Sequence, residues 1–368
     1  MKEIIDKIGD KFSLNDLVSA KLQPSDSQLL LSEMYRHQVE RISPPELLKK
    51  YQDNKFIISA SIPQSEAIKL DEKCFSCLPS EFESVEFSPV APLGLNSVLS
   101  NLSQNIIMSC VRNVEVMADP TTAMALECSS RRRQDSTKQY NLATTMRCLR
   151  LQPFEKETGF TSHFRVFALG SSDRYSKDIS STLLLKQLNS TLKIIDEMSC
   201  FTESPVQKSV YISNISLTEQ IISKLSADRA SIGKHTQDKN FDLFKYLSID
   251  NPSQVNSINQ SENSYLLNNF PQEMEKLRNF ESNFLPSLKA KYPEINFIFD
   301  LSRIAGIGYY NGVCYKVLCT NQDNLTVPIA DGGSSDWVSR LLSDNKECYF
   351  STGIGTELFY KCFNNRQH

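Results

Sequence analysis

The sequence predicts an α+β fold in which helices flank a mixed or antiparallel sheet. Two observations predict it. Strand-like runs follow one another across a loop at 144–151 and 162–170, as in an antiparallel pair. Elsewhere such runs alternate with helical patterns, but without the strict strand–helix–strand rhythm of a parallel sheet. Neither a GxGxxG fingerprint nor a P-loop occurs, so the two commonest phosphate-binding loops are excluded.

Helices are predicted where apolar residues recur at spacings of three and four. The clearest runs over 179–198, where Leu184, Leu188 and Ile195 share the inward face. Another follows the segment from Ser43 to Glu46, which has the pattern of a capping box. The remaining helices are predicted at 25–41, 95–108, 121–133, 216–226, 271–290 and 335–342, and after 353.

Strands are predicted where short apolar or alternating runs are bounded by turn residues. Residues 248–264 are rich in Asn, Ser and Gln and predict a polar loop. We therefore divide the chain into a first part of the core at 1–202, a mainly helical insertion or connector at 203–291, and a second part of the core at 292–368. The remaining strands are predicted at 56–63, 84–91, 111–117, 210–212, 295–300, 309–319, 325–330 and 348–353.

The charge balance argues against tRNA or another nucleic acid as a partner. The chain has 40 basic and 43 acidic side chains, so no overall field attracts a polyanion. No apolar run approaches the ~20 residues of a membrane span, and the N-terminus lacks the apolar stretch of a signal peptide.

Ten scattered cysteines are typical of free thiols in a reducing cytoplasm, where we expect the protein. Cys74 and Cys77 form a CxxC pair without a second pair, so no metal site is predicted.

Four segments carry side chains that suit a ligand site. In the first, Asp119 and Thr121 place a carboxylate and a hydroxyl two residues apart at a helix start. These groups can accept hydrogen bonds from an ammonium group, and they can also cap the helix. The segment resembles the part of histidyl-tRNA synthetases that holds the α-amino group of the substrate. Met117 replaces the arginine that precedes it in that family.

The second segment resembles motif 2 of the class II synthetases, two antiparallel strands whose arginine binds the α-phosphate of ATP. Arg150 matches that arginine, and a forked guanidinium suits phosphoryl oxygens. Gln152 replaces the acidic residue of the family, and we count it among the candidate ligand-binding residues. The glutamine and glutamate that read the amino acid in the family are replaced by Val166 and Gly170.

The third segment, residues 299–312, resembles the histidine-specific loop of the family, an Arg-Gly-Leu-Asp run ahead of Tyr-Tyr-Thr-Gly. Tyr309 and Tyr310 match the tyrosines and are candidate ligand-binding residues. Ala305 replaces the catalytic arginine of the family. Arg303, two positions earlier, is the candidate cation that would substitute for it.

The fourth segment resembles the Gly-Gly-Arg-Tyr-Asp run and motif 3 of the family. Gly332, Gly333 and Gly355 match its glycines and are candidate ligand-binding residues. In the family, motif 3 ends in an arginine that stacks on adenine and meets the γ-phosphate. Leu358 stands in its place, and a leucine cannot neutralise phosphate.

The resemblance spans most of 25–363 and implies a class II antiparallel sheet flanked by helices. It also implies an amino-acid-like ligand, ATP with magnesium as cofactor, and a homodimer formed through motif 1, for which 25–63 is the candidate. The sequence ends soon after motif 3, so we expect no anticodon-binding domain. Because two of the three expected arginines are absent, we do not expect ordinary histidyl-tRNA formation.

Two further features, the basic run at 131–133 and His163, are explained by structure without a ligand. The basic run at 131–133 could contact tRNA or phosphate, but a solvated cluster that complements the helix dipole is favoured. His163, on a motif 2 strand, is expected to be a packed, hydrogen-bonded histidine. Nucleophilic triads have no local signature here, so hydrolase functions are set aside.

Three functions remain open. The first, which we favour, is a regulatory or scaffold protein that binds an amino acid or nucleotide-type ligand and a protein partner. Its logic resembles that of the histidyl-synthetase-like regulatory subunit of ATP phosphoribosyltransferase. The second is a divergent ligase that activates an amino or carboxylic acid with ATP, with Arg150 and Arg303 as catalytic residues. The third is an interaction protein with an empty pocket.

Overall fold

A nine-stranded sheet with helices on both faces forms the centre of the fold. The computed structural model describes residues 22–152, 160–176, 178–202, 205–236, 238, 240–259 and 263–364. The predicted α+β class is confirmed. In the described part of the chain, no helix is long and apolar enough to cross a membrane.

The strands form one large sheet and one small one, the latter made of β2, β4 and β3. Their bounds are β1 Glu83–Ser84, β2 Val90–Pro92, β3 Ser109–Cys110, β4 Val114–Val116, β5 Tyr140–Leu149, β6 His163–Arg174, β7 Gln207–Asn214, β8 Gln254–Val255, β9 Asn296–Asp300, β10 Val313–Thr320, β11 Thr326–Ser335 and β12 Glu347–Ile354.

The helices of the described residues range from single turns to the twenty-residue α6. Their bounds are α1 Pro24–Val39, α2 Pro44–Asp53, α3 Gln64–Ser76, α4 Leu95–Ser100, α5 Pro120–Gln134, α6 Ile179–Met198, α7 Ile215–Lys224, α8 Arg229–Gly233, α9 Leu243–Tyr246, α10 Ser264–Asn269, α11 Pro271–Asn283, α12 Leu285–Lys291, α13 Trp337–Leu342 and α14 Thr356–Phe363.

The large sheet is mainly antiparallel. Its strand order is β1-β5-β6-β12-β11-β10-β7-β9-β8. Among the strands that the structure describes, the parallel pairs of this sheet are β1–β5 and β7–β9. Strands from distant parts of the sequence therefore lie side by side. Residues 203–291 contribute β7 and β8 to this sheet, while the proposed division of the chain at 202/203 and 291/292 remains a prediction.

Helices α5 and α6 cover opposite faces of the sheet. Successive residues of β6 show this, because side chains alternate between the two faces along a strand. Ala168 of β6 packs with Met124 of α5 in one buried cluster. The adjacent Phe167 and Leu169 pack with α6 residues such as Leu188 in another. The α5 face also carries Arg150, which contacts Asp119 at the start of α5, so this part of the candidate site lies on that side of the sheet.

Several element predictions were wrong in detail. Residues 56–63 form turns and bends, and the expected strand is absent from them. The predicted strand at 84–91 consists of two short strands at its ends, β1 and β2, with irregular chain between them, and the predicted helix at 95–108 ends at Ser100. The capping box is present, since the Ser43 amide donates to the Glu46 carboxylate at 2.7 Å.

The basic run at 131–133 is not a solvated cluster throughout. The Arg132 side chain is fully buried, and its Nε and Nη2 donate to the Glu347 carboxylate. Arg132 Nη2 also donates to the Ser136 carbonyl at 2.6 Å. Because Arg132 joins α5 to β12, its role is structural. Arg131 and Arg133 are more exposed.

Candidate functional site

Asp119 caps α5 and forms hydrogen bonds with two other predicted site residues, Thr121 and Tyr309. Its Oδ1 accepts hydrogen bonds from the Thr121 amide at 3.0 Å and the Thr121 hydroxyl at 2.6 Å. The Tyr309 hydroxyl lies 2.9 Å from Asp119 Oδ2 and 2.7 Å from Thr121 Oγ1. Asp119 is 6% exposed and Thr121 is 3% exposed. An incoming ammonium group would therefore have to displace one of these partners.

Arg150 follows β5 and points at the same carboxylate. Its Nη2 lies 3.3 Å from Asp119 Oδ2, and its Nε donates to the Ala118 carbonyl at 3.0 Å. The guanidinium also lies 5.5 Å from the centre of the Phe164 ring. The residues that the resemblance assigns to a phosphate and to an ammonium group thus bind each other.

Tyr309 and Tyr310 lie in the turn before β10. The Tyr309 ring makes edge-to-face contacts at 4.8 Å with both Tyr310 and Trp337. Burial, and next the charge of Asp119, raises the pKa of Tyr309 well above its usual value, so the phenol stays protonated and donates to Asp119. Burial also raises the pKa of Tyr310 well above its usual value. Both tyrosines are therefore neutral; Tyr310 is buried, and the half-buried Tyr309 contacts Asp119.

The predicted glycines are explained by close packing. A Cβ on Gly333 would lie 2.5 Å from Tyr310 Cδ1, and one on Gly332 would overlap the Thr352 hydroxyl. At Gly355, which precedes α14, a Cβ would lie 3.3 Å from Leu358 Cβ. The assignment of these three glycines to a ligand remains a prediction.

A cleft of about 1290 Å³ opens on the same side of the sheet. Its walls come from described residues between 235 and 254, from the end of β9 and the loop after it, and from the start of β11, with Gln152 at one side. Six formally charged side chains line it among the described residues. They are Asp238, Asp242, Asp300, Lys245, Arg303 and Lys316.

Arg303 lines this cleft but is held tightly. Its Nη2 lies 2.6 Å from Asp331 Oδ2, its Nε donates to the Ala305 carbonyl at 2.7 Å, and its guanidinium lies 5.7 Å from the Tyr310 ring centre. Burial alone would lower the pKa of Arg303, but the charge of Asp331, the hydrogen bond to Asp331 and the nearby Cys314 and Tyr310 together raise the pKa above its usual value. Arg303 is therefore a permanent cation at the wall of the cleft, while its assignment as a catalytic residue remains a prediction.

Lys316 and Asp300 are charged cleft residues that sequence reasoning missed. Burial, and next the nearby Arg303 cation, lowers the pKa of Lys316. Burial raises the pKa of Asp300, against the effect of Arg303, Lys316 and the hydrogen bonds from Ser302. A charged residue within a predicted strand was the only available signal, and the sequence did not show which face it occupies.

Comparison with solved structures identifies the fold. An ATP phosphoribosyltransferase regulatory subunit/histidyl-tRNA synthetase from Bacillus halodurans matches with a TM-score of 0.59 and 13% identity, over 85% of this chain and 83% of that one. The fold is that of the histidyl-tRNA synthetases. The histidyl-tRNA synthetase of Nostoc sp. matches with a TM-score of 0.59 and 16% identity, over 82% of this chain and 74% of that one. A histidine–tRNA ligase subunit from Alicyclobacillus acidocaldarius matches with a TM-score of 0.58 and 12% identity, over 82% of this chain and 95% of that one.

These identities are too low to carry an activity from one protein to the other. No protein-family model and no curated protein matches the sequence. The histidyl-synthetase fold nevertheless confirms the class II resemblance that the four sequence segments indicated.

Within this fold the predicted residues form two groups. Asp119, Thr121, Arg150 and Tyr309 form one hydrogen-bonded cluster. Arg303 and Gln152 belong instead to the cleft. Leu358, at the position of the motif 3 arginine, is 8% exposed and packs in the core. In the described residues, no group of three or more His, Cys, Asp or Glu side chains could hold a metal ion.

Proposed function

We propose that this protein is a ligand-binding protein on the histidyl-synthetase fold, with a regulatory or scaffold role, and that it does not form histidyl-tRNA. The ion pair between Arg150 and Asp119 carries the proposal. In-line phosphoryl chemistry depends on cations aimed at the developing charge. The retained arginine is neutralised by the retained carboxylate, so neither is free for an adenylation site.

The cleft favours an amino-acid-like zwitterion over a nucleotide triphosphate. Its three acidic and three basic side chains balance in formal charge. A polyphosphate needs a surplus of cations or bound magnesium, whereas a zwitterion is matched by separate groups of both signs. The Leu358 substitution supports the same conclusion, because it removes the adenine-stacking cation. The residues present therefore do not fit magnesium–ATP.

A protein partner is part of the proposal. The matching Bacillus halodurans structure is titled as an ATP phosphoribosyltransferase regulatory subunit/histidyl-tRNA synthetase. A regulatory protein must transmit the occupancy of its cleft to another protein. We place this function in the cytoplasm because all ten cysteines, which lie in the described residues, have free thiols.

We also propose that the protein is a homodimer. Helices α1 and α2, in the region assigned to motif 1, expose large apolar side chains, and clustered exposure of this kind marks an interaction surface. These side chains are Leu31, Met34, Tyr35, Val39, Leu47, Leu48 and Tyr51.

The alternative is a divergent ligase that activates an amino acid or another carboxylic acid with ATP. One observation favours it. Arg303 lines the cleft two residues before Ala305, the position of the lost catalytic arginine, and remains fully charged. Arg303 and a released Arg150 would then be the catalytic cations.

ATP–pyrophosphate exchange separates the two functions. The purified protein is tested with each of the twenty amino acids, and Arg150→Ala is the matched control. We expect no exchange above background, together with a thermal shift caused by at least one amino acid in the absence of ATP. Exchange with one amino acid that disappears in Arg150→Ala would establish the ligase instead.

A further inference from the structure

Lys316 and Asp300 lie on the same face of the large sheet, on strands that are consecutive in sequence but separated in the sheet by β7. Lys316 of β10 is directly opposite Tyr211 of β7, and Tyr211 is in register with Ile298 of β9. Directly paired residues share a face, and so do residues two apart on one strand. Asp300 therefore faces the same side as Lys316, and both line the cleft.

Neither charge is neutralised by the other. In the described part of the chain, no hydrogen bond and no ion pair within 4.0 Å reaches Lys316 Nζ. Among the same residues, the donors to the Asp300 carboxylate are the amide and hydroxyl of Ser302, at 3.2 and 3.3 Å. The neighbouring cation Arg303 is already paired with Asp331. Both side chains are half-buried, so each charge is partly removed from water, and an opposite charge supplied by a ligand compensates for this loss.

The separation of the two groups suits a small zwitterion. Neighbouring strands lie roughly 4.8 Å apart, and Asp300 lies two residues, about 7 Å, beyond the β9 position in register with Lys316, so the two backbone positions are about 12 Å apart. The long lysine side chain shortens this gap. An α-amino acid, which carries an ammonium group and a carboxylate on one carbon, can contact both side chains at once.

We propose that Lys316 binds the carboxylate and Asp300 binds the ammonium group of a free α-amino acid in this cleft. The inference rests on the proposed function and names the residues that perform it. Asp119 and Thr121, which the resemblance assigns to the ammonium group, instead belong to the closed cluster with Arg150 and Tyr309. The proposed ligand-binding position therefore lies nearer to β9 than the position that the resemblance assigns, which is close to β5.

The test is a calorimetric titration of the full-length protein with each of the twenty free amino acids. For the tightest binder, Lys316→Met and Asp300→Asn should each weaken binding by roughly tenfold or more, as expected for loss of a charged hydrogen bond. Lys69→Met removes an exposed lysine of α3 and is the matched control, with unchanged affinity.

Chemical variation of the ligand avoids any folding defect in the variants. On the wild-type protein, the methyl ester and the N-acetyl derivative should each lose at least roughly tenfold in affinity. The ester penalty should vanish in Lys316→Met and the acetyl penalty in Asp300→Asn. If both variants bind as the wild type does, the inference is overturned while the proposed function stands. If no amino acid binds the wild type, both fall.

Discussion

The Arg150 guanidinium lies 3.3 Å from the Asp119 carboxylate, so these two candidate site residues form an ion pair with each other. The same carboxylate accepts hydrogen bonds from the Tyr309 hydroxyl and from the amide and hydroxyl of Thr121. The Asp119 carboxylate therefore caps α5, pairs with Arg150 and accepts a hydrogen bond from Tyr309 in the turn before β10. A cluster of this kind stabilises the fold whether or not a ligand is present.

Replacing Asp119 by alanine tests this role. The change removes a helix cap, the carboxylate that pairs with Arg150, and one of the two oxygen partners of the Tyr309 hydroxyl. We expect the free energy of unfolding to fall by about 2–4 kcal/mol in urea denaturation. Asp228→Ala is the control, because Asp228 also accepts from the amide two residues on but is exposed. Equal losses in the two variants would contradict a structural role beyond capping.

The buried pair of Arg132 and Glu347 gives a second prediction. Both side chains are at most 2% exposed. Arg132→Met leaves the Glu347 carboxylate buried without its strongest partner, so we expect a loss of about 3–5 kcal/mol in the free energy of unfolding. Arg131→Met breaks only the pairs with Glu83 and Glu127 at the surface, for which about 1 kcal/mol or less is expected. Thermal and urea denaturation of the two variants decide the point.

Gly333 and Gly353, on neighbouring strands, provide a matched pair for packing. A Cβ on Gly333 would lie 2.5 Å from Tyr310 Cδ1 and 2.6 Å from Cys314 Cβ, whereas one on Gly353 would meet only Val166 Cγ1, at 3.7 Å. Gly333→Ala should therefore cost about 1–3 kcal/mol of stability through overpacking. Gly353→Ala should change the melting temperature little. A larger loss at Gly353 would overturn the packing explanation.

Local sequence patterns predicted the elements around the site because their signals are local. The Asp119-Pro120 pair sets the start of α5, and the apolar period sets the span of α6. The expected strand at 56–63 failed because pairing, not composition, decides a strand. Ile57 is 50% exposed, and the Ile58 carbonyl contacts the His163 side chain, through Nε2 at 2.8 Å, and not the backbone of a strand.

Contacts between distant segments were beyond sequence reasoning from the residues alone. Asp119 and Tyr309 are separated by 190 positions, and only the family resemblance suggested that they share a site. Lys316 and Asp300 share a face because of the registers in which β7 pairs with β10 on one side and with β9 on the other. The register of that insertion is a property of the whole sheet, since a slip of one residue would turn either side chain to the other face.

Glu357 predicts a dependence of stability on pH. Burial would raise its pKa, but the cations of Lys361 at 2.7 Å and Arg147 at 2.8 Å outweigh burial and hold the pKa below its usual value. Because the pKa is lower in the folded state, the ionised group stabilises the fold above the unfolded pKa, roughly 4.3. This stabilisation is lost as the pH falls through the folded pKa.

The corresponding variant is Glu357→Gln. It should reduce the free energy of unfolding at about pH 7 and narrow the difference between about pH 7 and about pH 3, measured by urea denaturation. Glu86→Gln, at an exposed position, should leave that difference unchanged. An unaltered acid sensitivity in Glu357→Gln would show that other carboxylates dominate the acid transition.

The exposed apolar surface of α1 and α2 leads to a prediction about assembly. Leu31, Tyr35 and Val39 are spaced by four residues, so they form one stripe along α1, and Leu47 and Leu48 of α2 are 55% and 59% exposed. If a second copy of the chain covers this surface, Leu47→Glu with Leu48→Glu places two charges in the interface. We expect sedimentation velocity to show a dimer for the wild type and a monomer for the double variant. Ile68→Glu on α3, at a side chain that is 55% exposed, should remain dimeric. A wild-type monomer at micromolar concentration would remove the homodimer from the proposal, and the same apolar stripe would then have to be assigned to the protein partner.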